Sequence, residues 1–170
     1  LLTGQTVEVP PPVCISHLTA VVTVTDDGGS SGRLRKELNV PPPGDIRNCM
    51  VALAEDEALM SRLFQYRFSA GVGLEGHNFG NLFLTALANL RGDFAEAVKV
   101  SSQILKTRGD IVPSTASDVQ LTAEMADGSL VRGETNITAS KSRILKLAME
   151  PADAAPLPNT LEEIASADLI

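Results

Sequence analysis

The spacing of apolar positions changes twice along the chain, and the changes divide it into elements. Residues 19–25 (TAVVTVT) form a short β-branched run between loop residues, which predicts a strand buried on both faces. The charged stretch 33–38 reads as a helix that Pro41-Pro42-Pro43-Gly44 stops, and Asp45 stands where the N-cap of a second helix, through Ala54, is wanted. A third helix is expected over 58–68, with Leu59, Leu63 and Phe64 on one face. Phe79, Leu82, Phe83, Ala86, Leu87 and Leu90 then recur at helical spacing, the clearest amphipathic pattern in the chain. Gly92 ends that helix. Asp93 and Glu96 open the next in the manner of a capping box, and its buried face is expected to carry Phe94, Ala97, Val98, Ile104 and Leu105 before Gly109 stops it.

Beyond Gly109 the period becomes two. Val119, Leu121, Ala123 and Met125 alternate with polar residues, Asp127-Gly128 supplies a hairpin turn, and 129–135 is the antiparallel return strand. A further strand is expected at 143–149, a short helix at 161–167, and an apolar strand beginning at Asp168-Leu169-Ile170. At the other end, Leu1-Leu2-Thr3-Gly4 reads as the last turn of a helix, and the prolines between Val9 and Val13 as an extended connector. Strand–loop–helix units beside a hairpin predict one layered α/β domain over residues 1–170, with both ends read as cut.

Composition narrows the functional classes. With 170 residues, 44% apolar and 21% charged, the chain has the makings of one ordinary globular core. Its net charge of −7 is spread along the chain, which argues against a wide basic surface for nucleic acid but leaves room for a local anion pocket. Cys14 and Cys49 form no CxxC pair, so they read as two buried thiols of a reducing cytosol. No apolar run reaches the roughly 18 residues of a membrane span, and the start lacks a signal-peptide pattern. A cytoplasmic protein is the expectation.

The candidate chemistry gathers in three places. The loop TDDGGSSGR follows a strand and precedes a helix, where open α/β sheets place their ligands. Gly28, Gly29 and Gly32 permit close backbone approach to an anion, Ser30 and Ser31 add hydroxyls, and Arg33 adds a fork-shaped cation. Asp26 and Asp27 suit a metal, a ribose hydroxyl or a substrate hydroxyl better than an anion. By itself such a loop reads more simply as a Gly/Ser linker or an Asx-capped turn; the flanking strand and helix favour the ligand loop. It is neither a P-loop nor GxGxxG. In PPPGDIRN, Asp45, Arg47 and Asn48 stand at a helix start, where Arg47 and free N–H groups can grip phosphate while Asp45 caps. In GHNFGN, His77 and Asn81 share a helix face, and Gly80 lets a ligand or another backbone come near. His77 can serve as a general acid or base, or equally as an N-cap or core hydrogen-bonder. Tyr66 and Arg67, at a helix end, read as packing and C-terminal charge.

Together and in this order, DDGGSSGRLR, PPGDIRNC, LFQYRF and GHNFGNLFLTAL resemble the gluconeogenesis factor family (YvcK-like proteins), which is related to CofD, the 2-phospho-L-lactate transferase. The resemblance implies a Rossmann-like fold with a mainly parallel sheet plus a β-hairpin. It also implies a ligand that is a nucleotide diphosphate or nucleotide sugar, and a role in cell shape and growth on gluconeogenic carbon sources. The ligand residues it carries over are Asp26, Asp27, Gly28, Gly29, Ser30, Ser31, Asp45, Arg47, Asn48, His77, Asn78 and Asn81. The rival it implies is a CofD-like transfer of a phospholactyl group to a deazaflavin alcohol, with Asp26 or Asp27 holding magnesium or orienting the accepting hydroxyl. In family members a turn of the GGGTG type precedes the segment that begins here at Leu1, and a GPGS-type loop follows the strand that here reaches Ile170. Partners expected are a phosphorylated small molecule and, as an open alternative, a second copy of the chain; nucleic acid and a membrane span are not expected.

Overall fold

The computed structural model describes residues 15–55 and 59–170. Strand β1 (Thr19–Val22) pairs in parallel with β2 (Asp110–Pro113), Thr19 opposite Asp110 and Val22 opposite Pro113. Parallel neighbours need a long crossover, and here it contains α1 (Gly29–Leu38), α2 (Gly44–Leu53), α3 (Leu59–Gln65), α4 (Phe79–Arg91) and α5 (Phe94–Leu105). Val22, Val24, Ile46, Met50, Phe64, Leu84, Ala97, Val98 and Ile111 from these elements close one core against the β1–β2 pair. Phe64 lies at its centre, in a tilted contact with Phe83 at 5.1 Å and edge-on to Phe79 at 6.3 Å.

A second layer is antiparallel. Strand β3 (Gln120–Met125) lies between β4 (Leu130–Arg132) and β5 (Ile144–Glu150), and α6 (Glu134–Ala139) packs Ile137 on Ala123 and Met125. The turn between β3 and β4 uses Gly128 at φ 83°, and Asp127 accepts hydrogen bonds from the N–H and hydroxyl of Ser129, as the Asp-Gly pair predicts. The last helix is α7 (Pro158–Ser166). The mixed α/β class is therefore observed, with a parallel sheet and a hairpin that β5 widens to three strands.

Several elements differ from their sequence reading. The strand expected over 19–25 ends at Val22, and Val21 is 40% exposed, so β1 is not buried on both faces. Helix α1 begins at Gly29, which makes the serines of the glycine-rich loop its first turn. Pro43, not Asp45, is the N-cap of α2, and Asp45 belongs to the first turn, where its charge complements the helix dipole. The buried stripe of α4 is Gly80, Asn81, Leu84, Thr85 and Ala88, while Leu90 is exposed; partners for the polar groups let them go inward. Ile104 is likewise exposed, and Ser101 takes the buried place with its hydroxyl donating to the Ala97 carbonyl. The expected return strand stops at Arg132 and becomes α6, β2 was unread in the sequence, and residues 168–170 form no strand. The readings of residues 1–13 and of Cys14 lie outside the described residues.

Candidate functional site

Three helix starts meet at one place. At α1 the chain leaves β1, and Gly28 in extended conformation is the N-cap, without a side-chain cap bond. Only glycine fits four residues on: a Cβ at Gly32 would overlap the carbonyl oxygen of Asp27. At α2 the proline run ends in Gly44, where a Cβ would lie 2.5 Å from Ser31 Oγ and 2.7 Å from Asp26 Oδ2. That glycine lets α2 abut α1. At α4, Asn78 is the N-cap, its Oδ1 accepting from the Asn81 N–H while its Nδ2 donates to the Gln65 carbonyl. A Cβ at Gly80 would come within 2.7 Å of the Phe64 carbonyl oxygen and 2.8 Å of Arg47 Cδ, so the close approach its sequence position suggested is to another backbone.

Buried polar side chains tie the three starts together. The Asn78 N–H donates to Ser30 Oγ, which lies 3.1 Å from His77 Nδ1. Asn81 Nδ2 donates to Ser31 Oγ, and Arg47 Nε donates to Asn81 Oδ1 at 3.0 Å. Ser30, Ser31, His77, Asn78 and Asn81 are all buried. Burial first, and the nearby Arg33 charge second, hold His77 below the ordinary histidine value. The ring is neutral near pH 7, and with the Asn78 N–H already on Ser30 Oγ, the serine hydroxyl is free to donate to Nδ1.

The charges around this knot are unusual. Arg33 Nη2 donates to the Glu75 carbonyl and Arg67 Nη1 to the Gly76 carbonyl, both at 2.7 Å. Neither these two nor Arg47 forms an ion pair among the described residues. Burial, then the neighbouring Arg67, makes the Arg47 charge costly, and Asp45 and Asp26 only partly offset this. Burial and then the Asp26 charge raise the Asp45 carboxyl. Asp26 Oδ1 accepts from the Gly28 N–H, and its Oδ2 stands beside Gly44. Arginines whose hydrogen bonds go to neutral oxygens, beside helix starts that no side chain caps, suit an anion.

Residues 3–170 match the family described as 2-phospho-L-lactate transferase CofD. The chain belongs to the CofD family. It is 50% identical over 153 residues to the gluconeogenesis factor of Bacillus subtilis and 48% identical over 153 residues to that of Halalkalibacterium halodurans, covering 90% of this chain and 48% of each relative. A crystal structure of a UPF0052 family protein from Bacillus halodurans superposes with a TM-score of 0.85 at 48% identity, over 89% of this chain and 49% of that one. The chain thus spans about half the length of the curated relatives it matches.

Of the residues that the family resemblance carries over, Asp26, Gly28, Ser30, Ser31, Asp45, Arg47, His77, Asn78 and Asn81 lie at or between the three helix starts. Gly29 sits among them, exposed, at φ 46°. Asn48 is exposed on α2. Asp27 departs from the group: its Oδ1 accepts from both the N–H and the hydroxyl of Thr135, on the far side of the loop. Sequence reasoning missed Gly133 and Thr135 altogether, because 129–135 was taken as strand; the glycine after Arg132 was the available signal that the strand ends there. Arg67, read as packing and C-terminal charge at a helix end, also has its charge close enough to bear on His77. A cavity of about 580 Å3 between α5, β2 and α7 shares none of these residues; Asp93, Glu96, Asp110 and Glu163 line it together with Lys99 and Lys106. Among the described residues no group of three or more His, Cys, Asp or Glu side chains is arranged to hold a metal, and no helix is long and apolar enough to cross a membrane.

Proposed function

We propose that this chain binds the diphosphate of a nucleotide or nucleotide sugar at the junction of α1, α2 and α4, and that it acts as a regulator of the gluconeogenesis factor type, in cell shape and central carbon metabolism. One observation carries the binding reading. Arg33, Arg47 and Arg67 converge there without an ion pair among the described residues, the Arg47 charge only partly offset by Asp45 and Asp26, next to the starts of α1 and α2 that no side chain caps. A diphosphate supplies the missing negative charge and accepts from the free N–H groups. Neutral His77 and buried Asn78 and Asn81 keep the helix starts in register.

The second reading is a CofD-type transferase of phosphorus-containing groups, favoured by the pairing of Asp26 with Asp45. Magnesium is commonly held by one or two carboxylates together with substrate phosphates. Asp26 Oδ2, which shares the space at Gly44 with Ser31 Oγ, and Asp45 next in the chain fit that pattern, and the ion would relieve the repulsion that Asp26 exerts on Asp45. Asp27, occupied by Thr135, fits it less well. When bound, the ion would neutralise phosphate charge.

The test is a thermal-shift and calorimetric screen of the full-length protein against guanosine, uridine and adenosine diphosphates and their sugars, with and without magnesium. It is paired with an assay of phospholactyl transfer from an activated donor to a deazaflavin alcohol. Nucleotide-sugar binding without transfer supports the regulator. Magnesium-dependent transfer replaces it with the enzyme, and failure of every nucleotide to bind rejects both.

A further inference from the structure

Asp27 sits in the middle of the glycine-rich loop, yet its bonds run to Thr135 and Gln120 and not to Arg33, Arg47 or Arg67. Its Oδ1 accepts from the Thr135 N–H at 2.8 Å and from Thr135 Oγ1 at 2.7 Å. Its Oδ2 occupies the space that a Cβ on Gly133 would fill, and Gly133 is at φ 88°, so glycine is required there twice over. Two neighbours reinforce the contact. A Cβ at Gly28 would stand 3.2 Å from Thr135 Oγ1, and Thr25 Oγ1 donates to Glu134 Oε2 at 3.3 Å. Three loop residues, 25, 27 and 28, therefore meet three consecutive residues of the β4–α6 junction, 133–135.

Helix α6 has no side-chain cap of its own, since its N-cap is Gly133. The Asp27 carboxylate, 108 positions earlier in the chain, supplies the acceptor that a local Ser or Asp would otherwise provide. Because Ile137 anchors α6 on Ala123 and Met125, this bond fastens the loop to the antiparallel sheet. A loop of three glycines is otherwise costly to order, and any ligand gripping it would have to supply that entropy.

We infer that Asp27 is a positioning residue: it caps α6 from across the molecule and so holds the 26–32 loop in its ligand-ready shape, which makes residues 133–135 part of the apparatus of the site. The ligand read-out of this inference rests on the binding reading above; the loop read-out does not.

The test uses the full-length protein as wild type, Asp27→Ala, Asp27→Asn, Thr135→Val and the Asp27→Ala/Thr135→Val double variant. Titrations with uridine and guanosine diphosphate are run with and without magnesium. Loss of the tie weakens binding roughly ten-fold in Asp27→Ala and several-fold in Thr135→Val. Asparagine keeps an acceptor and recovers most of the affinity. The double variant is no weaker than Asp27→Ala, as residues acting through one bond require. The magnesium dependence stays that of wild type throughout. Wild-type binding in Thr135→Val, with Asp27→Asn as weak as Asp27→Ala and its magnesium response gone, would mean direct metal contact and overturn the inference. Hydrogen exchange without ligand decides independently. The amides of 28–32 exchange faster in Asp27→Ala and Thr135→Val, and unchanged exchange in Thr135→Val overturns the proposal even if Asp27→Ala fails to fold. A wild type that binds no nucleotide rejects the binding reading alone, because the exchange rates still settle the tie.

Discussion

Two side chains of the site carry predictions of opposite kinds. Arg47 is half-buried and donates to Asn81 through Nε, which leaves its other nitrogens for an anion. If a phosphate sits there, Arg47→Ala removes a charge-assisted contact of about 1.5–3 kcal/mol. The dissociation constant for a nucleotide diphosphate should rise roughly ten-fold to a hundred-fold or more, read by calorimetry. His77 carries the prediction about pH. Its value in the folded protein is depressed below 6.5, so below that pH the unfolded chain takes up the proton first. The wild type therefore loses stability as pH falls from about 6.5 toward the folded value and levels off beneath it, by at most about 1.4 kcal/mol per pH unit from this group. Denaturant titrations of wild type and His77→Gln should diverge in that window and run parallel above pH 7; identical slopes would remove His77 as the source. At this scale the sequence was legible as to residue type but not as to partner. Nothing local distinguishes Asp26, beside Gly44, from Asp27, bound to Thr135.

Helix starts are the working elements of this protein. The proline run placed a helix start near that of α2 at sequence level, since three prolines cannot continue α1, but with the N-cap at Asp45, two residues beyond the observed Pro43. The purpose of the glycine after them emerges only in the packing: the missing Cβ at Gly44 admits Ser31 and Asp26. Gly44→Ala should therefore lower stability by about 1–3 kcal/mol and shift the melting temperature down by several degrees, with the α1–α2 contact forced apart. An alanine at Gly73, which meets nothing within 4 Å, tests backbone strain alone at φ 81° and should cost less. The face of α4 is the instructive miss. Counting apolar residues put Leu82, Ala86 and Leu90 inward, but a stripe holding Asn81 and Thr85 is buried instead. Asn81 reaches Ser31 and Arg47, and Thr85 donates to the Asn81 carbonyl, so burial costs these polar groups little.

Across the whole molecule the two layers differ in how completely they are covered. The β1–β2 layer is packed by helices, whereas in β5 Ile144, Leu145, Leu147 and Met149 are 38–56% exposed on a strand whose outer edge is unpaired among the described residues. Such a strand is a template for association. The 170-residue chain expressed alone should self-associate with rising concentration, and Leu147→Lys should shift it toward monomer in light scattering; a wild-type chain that stays monomeric would contradict this.

The sequence by itself determined the α/β class, the Asp127-Gly128 turn, the Gly92 and Asp93 boundaries and the position of the glycine-rich loop between a strand and a helix. Each rests on chemistry within about four residues: ring-locked φ, positive φ, or a side chain bonding the next turn. It did not determine the β1–β2 pairing, because β2 is four residues long and its strand identity comes from lying in register against β1. Nor did it determine that three helix starts converge, that three arginines meet there without an ion pair among the described residues, or that the Asp27 carboxylate bonds the start of a helix 108 positions away. Those are distances between groups far apart in sequence, and only the path of the folded chain sets them.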